Sequence, residues 1–393
     1  IWCNESQERY VLAIEIENFK AFEEICKREN CPYAVVGNFT EELKLLVKDP
    51  ANQEPIIDLG MKFIFGANKE LFREQIELKK ADQRNLKEVD FDIQKEIFSV
   101  LRHPTVARKN FLITIGDRNV GGLTFRDQMI GPLQIPVSDN AITLSNYGEK
   151  TGEAMAMGEK SPVALINPQA AGRLAITEAV LNLISSGVSN LSSIKLSANW
   201  MASPNNLEAN SNLFETVKTI SQDICKTWNL TIPVGKDSLS METQWKDCKN
   251  TSPESLIISA FAPIKEVNKS ITPMMSDEEG LVLARINFGS TEMRLGGSIL
   301  SQVIDKDFEE CPDIEDIKIF PKVYNLICEF IKNEKIIALH DISDGGLIAS
   351  VIEMMFASNL GVDINFDLNE NELKKILFSE EPGLVMQLTN KDY

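Results

Sequence analysis

The stretch HDISDGG, residues 340–346, constrains this chain more than any other. Ile336 to Leu339 before it are apolar enough for a short buried strand, and Leu347 to Phe356 after it read as a helix with Leu347, Val351, Met354 and Met355 on one side. A strand that turns directly into a helix is one step of an α/β layer. Glycines in such a turn let the backbone approach a ligand, and the first amides of a helix offer unpaired N–H groups suited to phosphate. Asp341, Ser343 and Asp344 add oxygens that a cation could use. The same residues are also ordinary helix caps, so the motif alone leaves both roles open.

At 393 residues the chain exceeds one ordinary core, and two or three domains are expected. Its net charge of -18 excludes a general nucleic-acid surface, which needs a basic footprint. Phosphate would therefore have to be bound locally, by backbone amides, a few Lys or Arg residues, or bridging Mg²⁺. No run is long enough to span a membrane and no secretory leader is recognisable, so a cytoplasmic protein without a membrane partner is expected. The seven cysteines include no C-x-x-C pair and fit neither a disulfide framework nor a zinc ribbon. His103 and His340 are the only imidazoles, which leaves few places for a Cys-His or Ser-His hydrolase.

Three regions follow from the apolar patterning. Residues 1–103 mix strands and helices, from ENFKAFEEICKRE through YAVVGNF to LKLLVKD. Residues 104–275 open on FLITIG, read as a strand, and end near SPESLIISAFAPI; the polar KEVNKSITPMMSDEEG marks a boundary. Residues 276–393 alternate LVLARINF, a helix over about 321–333, a strand, a helix, and VDINF as a further strand, which implies α/β layering. ESQERYVLAI near the start and SEEPGLVMQL near the end form a faint repeat, each an acid-bearing turn leading into a strand.

Several constellations could carry chemistry. In GRLAITEAVLNLISS, Glu178 and Asn182 lie one helical turn apart on the same side, two hard oxygens at a spacing useful to Mg²⁺ or equally to a solvated face. Asp139 follows an apolar stretch in IPVSDNAIT, where a strand-end carboxylate commonly faces a ligand. GDRNVGGLTFRDQMIGP is glycine-rich with Arg118, Arg126 and Asp127, but matches neither a P-loop nor a dinucleotide fingerprint. IPVGKDSLSM, read as a loop after the amphipathic helix around Leu213, Val217 and Ile224, supplies Gly235, Lys236 and Ser238.

RHPTVARKNFLITIGDRNVGGLTFRDQMIGPLQIPVSDNAIT, GEAMAMGEKSPVALIN, KLSANWM, TIPVGKDSLSMETQW and HDISDGG together resemble the synthetase core of the phosphoribosylformylglycinamidine synthase family, large single-chain type. The resemblance spans essentially the whole chain and implies an α/β (α+β) fold like aminoimidazole ribonucleotide synthetase, with a sheet-forming pairing module at 104–275 flanked by α/β modules. It further implies a core truncated at both ends: 1–103 as the latter part of one flanking module and 276–393 as the first part of the next. The implied activity is ATP-dependent amidation of formylglycinamide ribonucleotide by glutamine-derived ammonia in purine synthesis. The partners would be the remaining domains of such an enzyme, including a glutaminase, and the fragment alone would be inactive.

Carried over position by position, the resemblance implies Asp139, Glu178, Asn182 and Asp341 as magnesium ligands and Ser138 and Ser343 as contacts to ATP or ADP. Glu5, Ser6 and Gln7 match a substrate-contacting E-S-Q segment. Gly235, Lys236 and Ser238 match a loop at the nucleotide and substrate cleft, although relatives carry asparagine in place of Lys236. Gly345 and Gly346 would open the turn to nucleotide, and Asp344 would cap the helix. No catalytic residue is assigned, and His103 reads as structural. A non-catalytic nucleotide-binding half fits the same ligands. A selenophosphate synthetase or thiamine phosphate kinase fits less well, given KLSANWM and GGLTFRDQMIGP.

Overall fold

The computed structural model describes residues 9–52, 54–66, 91–119, 121–203 and 207–389, in two compact units, Ile1–Phe72 and Arg73–Tyr393. In the first, α1 (Phe19–Arg28) lays Phe19 and Phe22 edge-on against Tyr33. β1 (Lys44–Val47) and β2 (Ile57–Gly60) form an antiparallel hairpin that leads into the short α2 (Met61–Ile64). YAVVGNF is irregular and largely exposed there.

The second unit opens with α3 (Ile93–Arg102), whose Asp92 cap accepts the Lys95 amide at 3.1 Å. His103 ends this helix and its Nδ1 accepts the Thr105 amide, in keeping with a structural role. FLITIG is not a strand: Asn110–Ile115 form α4, with Phe111, Leu112 and Ile115 exposed. So short an apolar run suits either period, and with no strand alongside among the described residues, the backbone bonds within its own turn.

Strands then follow in the order β3 (Thr124–Arg126), the small ladder of β4 (Met129–Ile130) and β5 (Ile135–Pro136), β6 (Ala141–Leu144) and β7 (Gly152–Gly158). After α5 (Pro168–Ile184) and β8 (Lys195–Met201), α6 (Leu207–Lys218) continues through a π turn into α7 (Cys225–Trp228). β9 (Thr231–Ser238), a hairpin of β10 (Glu242–Trp245) and β11 (Cys248–Thr251), and β12 (Ser255–Ile264) complete this part. Six strands pair as β3-β6-β7-β12-β8-β9, antiparallel except for β8 and β9. β12 buries every second residue, the period-2 signature of a sheet covered on one face.

α5 is the cover. It is buried nearly all round, as expected of a helix with apolar residues on every side. Gly158 lets it approach closely, since a Cβ there would meet the Ala175 carbonyl oxygen at 2.2 Å. Beyond it lies a second sheet, built with β13 (Leu281–Asn287), α8 (Ile299–Val303), α9 (Phe320–Lys332), β14 (Ile336–Ile342), α10 (Gly346–Ser358), α11 (Glu370–Phe378) and β15 (Gly383–Thr389). Its order is β13-β15-β14, all antiparallel. VDINF does not join it: Val362 and Phe366 are half-buried but Ile364, between them in the alternation, is exposed, and among the described residues no strand pairs with this run. One apolar core runs from β12 and α5 to α9 and β15, keyed by Trp228 stacked on Phe320 at 4.0 Å. The Trp228 indole N–H also donates to the Ile317 carbonyl at 2.7 Å.

Candidate functional site

The α5 face carrying Glu178 and Asn182 meets the β14–α10 turn and the segment between β5 and β6. These elements enclose a cavity of about 580 Å³ lined by Ser138, Asp139, Glu178, Asn182, Asp341 and Ser343. The structure thus brings together all four expected metal ligands and both expected nucleotide serines. Glu178 and Asn182 do not lie on a solvated helix face; they point into this cavity from an otherwise buried helix.

Each group is held by neighbours. Glu178 accepts the Ser343 hydroxyl and, at 2.7 Å, the Glu159 amide. Asn182 donates to the Met157 carbonyl at 3.1 Å, which turns its Oδ1 the other way, buried and without a partner among the described residues. Ser138 donates to the Asn140 carbonyl at 2.7 Å. An orphaned buried oxygen is costly unless something else meets it. A hard cation fits that requirement and the oxygen-rich donor set around it.

The electrostatics point the same way. Burial pushes the Glu178 carboxyl up to about 7, against the opposing field of Lys160. Burial likewise raises Asp139, with His340 opposing the shift, and raises Asp341 well above the carboxylate range, with Asp139 adding to it. Carboxylates crowded out of water resist ionising together, and a divalent cation would relieve them.

His340, at the start of the motif, is the residue that sequence reasoning passed over. Its Nδ1 lies 2.6 Å from Asp139 Oδ1 and its Nε2 2.9 Å from Glu353 Oε2. Despite the desolvation that opposes charge, these carboxylates raise its pKa well above the ordinary value. Both ring nitrogens thus face carboxylate oxygens, an arrangement that favours the charged imidazolium. Asp139, His340 and Asp341 have ligand atoms within 4.8 Å of one another; as an imidazolium His340 would be a counter-charge to Asp139 in place of a ligand.

The turn itself departs from expectation. Gly345, at φ 90°, is the N-cap of α10, and neither Asp341, Ser343 nor Asp344 caps the helix. The Glu380 carboxylate does so from afar: its Oε1 accepts the amides of Gly345 and Ile299, each at 2.8 Å. The anion site expected for phosphate at this helix start is thus filled by the protein's own carboxylate. Asp344 instead pairs with Lys160, which also lies 3.4 Å from Glu380. Gly345 and Gly346 open the turn to packing, not to ligand: a Cβ on Gly346 would meet Phe378 C at 2.7 Å and the Ser379 carbonyl oxygen at 2.8 Å. The acids of SEEPG are buried as well; Glu381 grips Arg294 with two contacts, of 2.6 and 3.0 Å.

The remaining expected residues lie elsewhere. Gly235 and Lys236 belong to strand β9, not to a loop, and line a separate cavity of about 410 Å³ with Trp200 and Val217. Ser238 closes that strand, and its carbonyl accepts the Ala202 amide. In GDRNVGG, Arg118 pairs with Asp127 at 2.5 Å, so its guanidinium faces a protein carboxylate. Glu5, Ser6 and Gln7 lie outside the described residues.

Residues 108–263 match the family described as FGAR-AT PurM_N-like domain, and residues 281–393 match AIR synthase related protein, C-terminal domain. Among solved structures, PurLQS from Thermotoga maritima aligns over 88% of this chain and 46% of its own, at 13% identity and a TM-score of 0.50. T. maritima PurL complexed with FGAR aligns over 65% and 40%, at 12% identity and 0.49. AaThiL complexed with AMPPCP and TMP aligns over 65% and 80%, at 14% and 0.44. The chain spans less than half the length of the PurL structures it matches. Two adjoining domain matches in this order, on a mixed α/β fold shared with PurLQS, make the chain an FGAM synthase-like synthetase core with an AIR synthetase-like fold.

Proposed function

We propose that this chain contributes a magnesium–nucleotide site to an enzyme that uses ATP to convert formylglycinamide ribonucleotide, with glutamine-derived ammonia, to formylglycinamidine ribonucleotide. The observation that carries the reading is the orphaned Asn182 Oδ1 beside Asp139, Glu178 and Asp341 in one cavity. Those four residues would hold Mg²⁺, which when bound would neutralise charge on the nucleotide phosphates. Ser138 and Ser343 would meet the nucleotide, Ser343 being oriented by Glu178. His340, 2.6 Å from Asp139 Oδ1, would hold that carboxylate in place while its other oxygen met the cation.

A second reading, a nucleotide site that props the fold without turnover, is favoured by one observation. His340 is fastened on both ring nitrogens and so is placed neither to take nor to deliver a proton. Mass spectrometry of ligand released from purified protein, followed by Mg²⁺-dependent turnover of added ATP, separates the two. Retained ADP without turnover supports the prop, ATP consumption supports the chemical site, and no nucleotide binding in either assay overturns both.

A further inference from the structure

Arg126, on β3, lies with its guanidinium 5.9 Å from the Phe125 ring centroid and has few other partners. The side chain is half-buried, and that desolvation pushes its pKa down. Nη2 donates to the Ser270 hydroxyl at 3.0 Å, while Nε is buried with no partner. The nearby carboxylates are engaged elsewhere: Asp127 with Arg118 and the Met129 amide, Asp139 with His340. Among the described residues no carboxylate pairs with Arg126. A cation taken out of water without a counter-ion is unfavourable and is seldom left so without a ligand.

Arg126 faces a cavity of about 670 Å³, distinct from the nucleotide site, between the two sheets. Three hydroxyls share it with a common feature. Ser270 already accepts from Arg126, Thr272 from the Met274 amide at 3.2 Å, and Ser276 from the Glu278 amide at 3.3 Å. Each therefore keeps its own proton to donate. One forked cation with three hydroxyl donors is the donor set of an oxyanion site. Ile271, Met275 and Ile337 add apolar wall, and the volume exceeds what a lone phosphate fills. Asp277, exposed at the rim, disfavours a polyanion such as a nucleoside triphosphate.

We propose that this cavity binds a small phosphate monoester, its phosphate on Arg126 and the Ser270, Thr272 and Ser276 hydroxyls and its compact body against the apolar wall. Binding needs no metal, which separates it from the nucleotide site. The test titrates ribose 5-phosphate and inorganic phosphate into the chain by calorimetry in EDTA, with Arg126→Leu and Arg126→Lys alongside. Wild type should bind the ester at least tenfold tighter than inorganic phosphate; Arg126→Leu should lose at least tenfold, and Arg126→Lys less. In wild type the ester should also protect Arg126 from phenylglyoxal, read by peptide mass spectrometry, which keeps the test decisive should the leucine variant fail to fold. Absence of ester binding, equal affinity in Arg126→Leu, equal affinity for inorganic phosphate, or no protection of Arg126 would overturn the proposal.

Discussion

Replacing Gly346 by alanine separates two accounts of the HDISDGG turn. If the glycine opens the backbone to a nucleotide, a methyl group there should damage binding and spare the fold. The structure says the reverse. Gly346 sits at φ +73°, and its added Cβ would fall 2.7–2.9 Å from backbone atoms of Leu377, Phe378 and Ser379, which cannot rotate aside. The left-handed conformation costs a non-glycine residue about 1–2 kcal/mol, and overpacking in a rigid setting adds about 1–3 kcal/mol. Gly346→Ala should therefore lose about 2–5 kcal/mol of unfolding free energy, a large share of the roughly 5–15 kcal/mol typical of a domain. Gly121→Ala is the control: φ is +81° but nothing lies within 4 Å of its Cβ, so only the conformational cost of about 1–2 kcal/mol remains. Urea unfolding of both variants, with ADP·Mg²⁺ titrated into whatever stays folded, gives the comparison. Equal losses in the two variants, or weakened nucleotide binding in a Gly346→Ala protein of wild-type stability, would refute the packing argument.

Other outcomes follow from single side chains. Glu178→Gln and Asn182→Leu should each weaken Mg²⁺-linked ADP binding at least tenfold in calorimetry while the apo fold changes by less than about 1 kcal/mol; unchanged affinity in both would remove them from the ligand set. Glu254, with a buried unpartnered oxygen, has its carboxyl pushed up by burial to about 7 from an ordinary 4.5. A raised acid is stabilising while protonated and loses that contribution as pH rises from about 4.5 through 7, a span worth on the order of 3 kcal/mol. Glu254→Gln should thus match wild type at pH 4.5 and exceed it at pH 8; equal stability at both would sink the assignment. Glu380→Ala strands two amides and a lysine partner, so it should cost about 3–5 kcal/mol, partly restored by high formate in thermal melts, and the absence of both effects would count against the internal anion.

Much of the site was legible because its parts are local. The one-turn spacing of Glu178 and Asn182, and the strand–turn–helix around Asp341, each need only a few neighbouring residues to be read. What could not be read was who answers whom across the fold. Glu380 reaches the α10 start from 35 residues further on, and Lys160 pairs with Asp344 across 184. No period or cap statistic links such positions. His340 was visible only as one of two histidines; its role comes from Glu353, one element along, and Asp139, in the other sheet's domain. FLITIG and VDINF differ from the strand reading for a related reason, since a strand is defined by its neighbour and neither run has one among the described residues.

The placement of β15 between β13 and β14 bears on how the chain folds as it is made. β13 and β14 never pair with each other, so each waits for the strand at 383–389. During vectorial synthesis both would leave the ribosome with open hydrogen-bonding edges, and the second sheet could close only when nearly all the described chain had emerged. The first sheet closes earlier, with β12. Pairings that span so much sequence form slowly and leave sticky intermediates. The cavity lined by Asp139, Glu178, Asn182 and Asp341, which takes its walls from α5, the segment between β5 and β6 and the β14–α10 turn, would mature only once β14 has its partner strand.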